Sequence, residues 1–306
     1  MSTAIASLSP EQLALRQHGL GASEVAAILG LDPFRTALDV YLDKTGQVGP
    51  LPENRFMRWG KRLEAVIADE YAANHPEREL KPSGTVTGPE PWMLATPDRL
   101  VYGPGGPSVP AWGLECKSRG HYNADAWGES GSDEVPHAVA VQCHWGMIVT
   151  ALERWDVAVL LGGNDYREYT LAWDDTIARE LVARARTFWF DHVQAKVHPP
   201  FTGAPSDHAF LLKTYPEHTG EMVPATVEIT EKATLLQVHR AAIDRHMAEK
   251  DRLEAEIKEF IGGRLGVEGP FGRITWTHQD PAEVKAYTRA AYRRFVAKWA
   301  RKLGTP

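Results

Sequence analysis

The segment Trp-Gly-Leu-Glu-Cys-Lys-Ser at residues 112–118 has the alternation expected of a half-buried β-strand. Side chains two residues apart share one face of a strand, so Glu115 and Lys117 point one way and Cys116 points the other way, into the core. The same Glu-x-Lys triplet occurs at Glu79–Lys81, Glu256–Lys258 and Glu283–Lys285. The last two lie in predicted charged helices, where residues two apart diverge, and the first runs into Pro82, which has no backbone donor. We therefore expect segment 112–118 to carry the site.

A second carboxylate, Asp98, follows Thr96 and Pro97 one predicted strand earlier. The Gly- and Pro-rich stretch 103–110 predicts a hairpin connection that would bring Asp98 beside Glu115. Two carboxylates beside a backbone carbonyl suit Mg²⁺ or Mn²⁺. A lysine on the same face can orient a water molecule and help to remove its proton, which indicates a phosphodiesterase site. The alternative is a surface ion-pair cluster on a hairpin.

Four further residues could extend this site, each with a simpler alternative. Glu64, on a predicted helix before the sheet, could add a third carboxylate or could face solvent. Gln142 interrupts the apolar helix predicted over 136–151 and needs a polar partner, in the site or in the core. Arg16 and Ser23 flank a glycine turn before a helix N-terminus, where a phosphate could bind, but Ser23 could also be a helix cap.

The order of predicted elements indicates a mixed α/β core over residues 1–198, because helices, a small sheet, a helix and a further sheet follow one another. A helix is expected over 54–76, with apolar residues at three-to-four spacing. Those residues are Phe56, Trp59, Leu63, Val66, Ile67 and Tyr71. A Pro-rich connector is expected at 199–224. A C-terminal extension at 225–306 would contain a long charged helix, a short strand and a basic amphipathic helix.

Composition narrows the class of protein. The 306 residues are 43% hydrophobic and 24% charged, which excludes collagen-like and fully disordered chains. We expect no membrane span and no secretory signal. Two cysteines, Cys116 and Cys143, favour a reducing compartment, hence the cytoplasm. The net charge is −6, yet residues 281–306 hold seven basic residues and one acidic residue, which suits local contact with a polyanion or a solvated helix face.

Taken in chain order, these residues resemble the YqaJ viral recombinase family, the phage lambda exonuclease branch of the PD-(D/E)xK nucleases. The matching segments are Arg16 followed by GLGASEVAAILGLDPFRT, then WGKRLE, ATPDRLV, GLECKS, VQCHWGMIVTALERWDVAVLLGG and FWFDHVQAKVHPP. Their shared order is more specific than any single segment. The resemblance implies a restriction-endonuclease-like core with a central mixed sheet flanked by helices, followed by a C-terminal helical arm.

The resemblance also implies roles for single residues. The implied metal ligands are Asp98, Glu115, the Cys116 carbonyl and Glu64. Lys117 would position the nucleophilic water, and Gln142 would lie in the helical motif beside the active site. The implied cofactor is Mg²⁺, for which Mn²⁺ could substitute, with two ions present during catalysis.

The implied reaction is hydrolysis of one strand of linear double-stranded DNA from its 5′ end, leaving 3′ overhangs for a single-strand annealing protein in phage recombination. Arg16 and Ser23 would hold the 5′ phosphate, although Glu24 replaces the aspartate usual in the family's Gly-Gly-Ser-Asp turn. The implied assembly is a homo-oligomeric ring, with a trimer favoured, in the cytoplasm of a bacterial host. The alternatives are a structure-specific or nicking endonuclease on the same fold, and a DNA-binding recombination scaffold.

Overall fold

The computed structural model describes residues 15–49, 53–103 and 108–278. The chain divides into two units, residues 1–209 and 210–306. The predicted domain limits at 198 and 224 stay predictions. The predicted basic terminal helix and part of the predicted hairpin connection lie outside the described residues.

A five-stranded sheet is the centre of the first unit. The strands of this unit are β1 (Glu79–Pro82), β2 (Val86–Thr87), β3 (Leu94–Ala95), β4 (Arg99–Tyr102), β5 (Trp112–Arg119), β6 (Arg154–Leu161) and β7 (Asp165–Ala172). The central sheet has the order β1-β4-β5-β6-β7, while β2 and β3 pair separately. Strands β5 and β6 are parallel and the other neighbours are antiparallel, so the sheet is mixed.

Helices precede, interrupt and follow this sheet. They are α1 (Ala22–Ile28), α2 (Ala37–Lys44), α3 (Arg55–Asn74), a 3₁₀ helix (His121–Ala126), α4 (His137–Thr150), α5 (Asp175–Thr187), a π-helical turn (Phe188–Gln194) and α6 (Pro205–Thr214). Helix α3 begins after Asn54, whose side chain accepts hydrogen bonds of 2.9 Å from the backbone N–H groups of Phe56 and Met57.

The two faces of the sheet pack against different helices. Ile67 and Tyr71 of α3 form one buried cluster with Cys116 and Ala158. On the other face, α4 packs against alternate residues of β6. That second cluster includes Cys143, Met147, Trp155, Val157 and Val159. The predicted mixed α/β core, with a central mixed sheet flanked by helices, is confirmed.

Two glycines set the approach of β5 and α4 to Trp155, which is 1% exposed. A Cβ atom on Gly113 or on Gly146 would lie 2.5 Å from the indole ring of Trp155. That distance is far inside van der Waals contact, so a larger side chain at either position would displace the ring. Gly113 therefore lets the strand carrying Glu115 and Lys117 pack closely beside the helix carrying Gln142.

One sequence argument is wrong in its detail. The triplet Glu79–Lys81, set aside because it runs into Pro82, lies in strand β1 and pairs antiparallel with β4. Because β1 is an edge strand, one side of its backbone needs no partner, and a proline is tolerated there. The ion pair between Glu79 and Lys81 is exposed on this edge.

The second unit contains α7 (Val227–Ile261) and the hairpin of β8 (Gly266–Gly269) and β9 (Gly272–Thr275). Helix α7 corresponds to the long charged helix expected from the sequence. Ile261 is its one buried residue, and the rest of this fully described helix is exposed or half-buried. Among the described residues, no helix has the length and apolarity needed to cross a membrane.

Candidate active site

Strand β5 places Glu115 and Lys117 together, as the alternation predicts. The ammonium of Lys117 donates to the Glu115 carboxylate and, over 2.7 Å, to Oε1 of Gln142 on α4. Cys116 points to the opposite face, where it packs beside α3. Gln142 therefore finds its polar partner in this cluster and not in the core.

Asp98 joins these residues through strand pairing. It immediately precedes β4, and its Oδ2 accepts a hydrogen bond of 2.7 Å from the backbone N–H of Cys116. The antiparallel pairing of β4 with β5 thus brings the Asp98 carboxylate beside Glu115. Burial raises the pKa of Asp98 well above its usual value, and the negative charges of Glu115 and Glu64 raise it further.

Glu64 reaches the cluster from α3. Its Oε1 accepts a hydrogen bond of 2.9 Å from Nη1 of Arg99, a guanidinium that is almost fully buried. Arg99 also donates to the Asp98 carbonyl. Sequence reasoning missed Arg99. Its signal was its place directly after Asp98, because an inward-pointing arginine at the start of a strand needs an acidic partner.

Lys117 is held in its charged form. Burial by itself would lower the pKa of Lys117, but the carboxylates of Glu115 and Asp98 outweigh burial, so this pKa is raised. The side chain is therefore a hydrogen-bond donor at neutral pH. This arrangement suits holding a water molecule or a phosphate oxygen better than the proton removal expected from the sequence.

The donor set suits a divalent cation, although no ready-made cage is present. Among residues 15–49, 53–103 and 108–278, no group of three His, Cys, Asp or Glu residues is arranged to hold a metal ion. Asp98 is held by a backbone N–H, Glu115 by Lys117 and Glu64 by Arg99. Three carboxylates face two cations, and this crowding of negative charge adds to burial in raising the pKa of Asp98. The residues fit Mg²⁺ in charge and ligand type.

The predicted phosphate cradle begins α1. The helix starts after Gly21, and Glu24 makes the capping interaction by accepting a hydrogen bond of 2.7 Å from the Gly21 N–H. Ser23 is exposed in the first turn of the helix, so it does not serve as the cap. Leu20 hydrogen-bonds with Trp92 and Leu94, which ties this turn to the chain leading to Asp98.

Glu24 is a buried carboxylate with two cationic partners. It is 3% exposed, and its carboxylate lies 2.7 Å from Nζ of Lys44 and 3.5 Å from Nη1 of Arg35. Lys44 also donates to the carbonyl of Arg16. A buried carboxylate needs such partners, and this pair holds the backbone of the turn that carries Arg16 and Ser23.

Part of the apolar face of α3 is exposed. Phe56, Trp59 and Val66 are 72%, 54% and 55% exposed, whereas Ile67 and Tyr71 are buried. Residues 55–62 are all exposed, so no described part of the first unit covers the first turns of α3. Cations lie over the exposed rings, with Arg55 over Phe56 and Arg62 over Trp59. Basic and aromatic side chains are therefore interleaved on this exposed part of α3.

Comparisons with known proteins agree with the segments quoted from the sequence. Residues 11–153 match the model of the YqaJ-like viral recombinase domain. The chain is 28% identical over 254 residues to the uncharacterized protein YqaJ of Bacillus subtilis (strain 168), an alignment covering 81% of this chain and 76% of that protein.

Solved structures are more distant. An alkaline exonuclease, LHK-Exo from Laribacter hongkongensis, matches with a TM-score of 0.48 and 16% identity over 62% of this chain and 94% of that one. A phage related exonuclease from Haemophilus somnus 129PT matches with a TM-score of 0.42 and 12% identity over 58% of this chain and 96% of that one. Likenesses this distant carry no functional assignment. The sequence match is more specific: residues 11–153 are similar to the YqaJ-like viral recombinase domain, which confirms the resemblance found in the sequence.

Proposed function

We propose that the protein is a metal-dependent deoxyribonuclease that digests one strand of linear double-stranded DNA from its 5′ end and leaves 3′ overhangs. The observation that carries this proposal is the cluster of Asp98, Glu115 and Glu64 beside Lys117. A surface ion pair would not require three carboxylates to converge with a lysine and a glutamine from a second element.

The proposed cofactor is Mg²⁺, with Mn²⁺ as a substitute and two ions during catalysis. Asp98, Glu115 and Glu64 would hold the ions together with the Cys116 carbonyl. When bound, the metal would supply charge neutralisation at the phosphate and a more acidic water. Lys117 would orient the attacking water by donating to it, and Gln142 would keep the lysine in place through its 2.7 Å hydrogen bond.

The 5′ selectivity is proposed to come from Arg16 and Ser23. Ser23 presents an exposed hydroxyl in the first turn of α1, and the Arg16 carbonyl is fixed by Lys44. A guanidinium and a hydroxyl are suitable donors to a terminal phosphate. The basic and aromatic residues at the start of α3 would support contact with the duplex. A ring-shaped homo-oligomer, with a trimer favoured, and a single-strand annealing protein are the proposed assembly and partner, in a bacterial cytoplasm.

A gel assay with Mg²⁺ tests this function on three substrates: 5′-phosphorylated linear duplex, 5′-hydroxyl linear duplex and covalently closed circles. We expect fastest loss of the phosphorylated linear DNA, production of 3′ single strands, and intact circles. Arg16→Ala should remove the preference for a 5′ phosphate, because a charge-assisted contact is worth about 1.5–3 kcal/mol, or about 10- to 100-fold.

Each other result contradicts a defined part of the proposal. Cut circles would indicate an endonuclease on this fold. DNA binding without cleavage under any metal would indicate a recombination scaffold. An equal effect of Arg16→Ala on phosphorylated and hydroxyl ends would reject the cradle while leaving the nuclease assignment in place.

A further inference from the structure

Arg119 continues the row of functional side chains on β5. It follows Glu115 and Lys117 at the same two-residue interval, and it ends the strand in register with Leu161 of β6. The Gly162 N–H donates a hydrogen bond of 2.9 Å to the Arg119 carbonyl. The backbone at this position is therefore fixed by the sheet, although the side chain is exposed.

The guanidinium of Arg119 has N–H donors that make no described hydrogen bond. Its one described hydrogen bond is a 2.9 Å contact from Nη1 to the carbonyl of the preceding residue, Ser118. Among the described residues, no carboxylate lies within 4.0 Å of it to form an ion pair. Arg167, by contrast, is 2.6 Å from Asp165 and is occupied by that contact.

The charges around Arg119 place it beside the active site. Burial lowers the pKa of Arg119, and the negative charges of Glu115 and Asp32 oppose that shift, so both carboxylates act on the guanidinium. The charge of Arg119 in turn acts to lower the pKa of Lys117. Asp32 follows the C-terminal end of α1, whereas the cradle with Ser23 is at the other end of that helix. A helix of seven residues is about 10 Å long, so Arg119 is separate from the proposed 5′-phosphate contacts.

We propose that Arg119 binds a backbone phosphate next to the scissile one and so holds the register of the DNA strand across the metal ligands. This inference rests on the proposed function and adds a DNA contact to that site. Lys117 and Arg119 are separated by about 6–7 Å along the strand, so the guanidinium reaches beyond the lysine that serves the reacting phosphate. Arginine suits this position because its planar donors can bind two phosphate oxygens at once.

The salt dependence of DNA binding tests the contact. In a Lys117→Ala background, which we expect to bind DNA without cleaving it, fluorescence anisotropy at several NaCl concentrations gives the slope of log affinity against log salt. Arg119→Ala should reduce the magnitude of this slope by about 0.9, the value of one lost phosphate contact, and weaken binding by about tenfold.

Two variants serve as controls. Arg119→Lys keeps the charge and should keep the slope. Arg179→Ala on α5 removes another exposed arginine that donates to a main-chain carbonyl, and it should change neither slope nor affinity. An unchanged slope in Arg119→Ala would overturn the inference, as would an equal loss in Arg179→Ala.

Neutral linkages locate the phosphate. Single methylphosphonates are placed in turn on each side of the scissile position, and binding is compared between the parent and Arg119→Ala. We expect one adjacent position where the neutral linkage lowers the DNA affinity of the parent but does not lower the affinity of the Arg119→Ala variant any further. If the neutral linkage and Arg119→Ala reduced DNA affinity additively at every position, the proposed contact would be overturned. The nuclease function of the wild type would not be affected by that result. No salt-dependent DNA binding by the parent would instead reject the nuclease function and the contact together.

Discussion

Two clusters of charged residues lie near opposite ends of β5, and they differ in the ratio of acidic to basic groups. Near Trp112, the buried carboxylate of Asp156 accepts hydrogen bonds from the Tyr71 hydroxyl, from Nε and Nη2 of Arg154 and from Thr170 Oγ1, all within 2.9 Å. Arg78 lies 3.4 Å away and, with Arg154, covers the Trp112 ring. This single carboxylate has its acceptor sites filled by the protein.

The cluster at Lys117 has the opposite ratio, with more acidic than basic groups. Three carboxylates meet two cations there, and the charges of Glu115 and Glu64 add to burial in raising the pKa of Asp98. Such crowding costs stability unless a ligand relieves it. The Asp156 carboxylate is satisfied by two guanidinium groups and two hydroxyls, whereas the cluster at Lys117 has an excess of carboxylates that a bound cation would offset. Substitutions in the two clusters should have opposite consequences.

Lys117→Ala should have the largest effect. Cleavage should fall by about 10²- to 10⁴-fold, because the substitution removes the donor proposed to orient the water, while DNA binding is largely kept. Single-turnover digestion of linear duplex measures the rate, and anisotropy measures binding. Lys81→Ala is the matched control, since Lys81 lies in the same kind of triplet on β1 and pairs with exposed Glu79 over 3.2 Å. A Lys117→Ala protein with near-normal cleavage would contradict the assignment.

Asp156→Ala should reduce stability and leave the chemistry intact. Removing this carboxylate leaves Arg154, Arg78 and Tyr71 without their common acceptor, so the free energy of unfolding should fall by about 3–5 kcal/mol. Urea denaturation measures that change. Cleavage per folded molecule, measured at low temperature, should stay within about twofold of the wild type. A loss of activity without a loss of stability would mean that the two clusters are not separate.

Asp98→Asn should have the smallest effect on stability, with the opposite sign. Removing one of the crowded charges should raise the stability of the metal-free protein by about 0.5–2 kcal/mol, while cleavage is lost. The raised pKa of Asp98 means that the folded state binds its proton more tightly than the unfolded state does. Wild-type stability should therefore fall as pH rises from the unfolded pKa of the carboxyl to its higher folded pKa.

The Asp98→Asn protein should lack that part of the pH dependence. Its stability advantage should be absent below the unfolded pKa, grow across the window and level off above the folded pKa. Thermal melts across this pH range measure it. Added Mg²⁺ should stabilise the wild type more than the variant. A variant less stable than the wild type at neutral pH without metal would show that the site is not strained by charge.

Local pattern determined much of the candidate site. The two-residue period of a strand places Glu115 and Lys117 on one face whatever surrounds them, and the structure joins them to Gln142 as well. The position of Asp98 was also within reach, because a hairpin returns the chain over a short distance. These predictions depend on neighbours along the chain, which a sequence displays directly.

Contacts between distant segments could not be read in this way. Nothing local shows that Lys44 pairs with Glu24, or that Arg99 meets Glu64 from another element. The spacing of Phe56 and Trp59 predicted a helix, but it could not show that both rings are exposed. Helical periodicity shows which side chains share a face and says nothing about whether a partner surface extends that far.

The sequence by itself therefore determined the type of core, the carboxylates and the lysine of the proposed chemistry, since residue type and strand period follow from the chain alone. The tertiary structure decided the charge balance of each cluster, the close approach allowed by Gly113 beside Trp155, and the free donors of Arg119. The physical reason is that burial and electrostatic energy depend on distances between segments remote in sequence, and those distances exist only once the chain has folded.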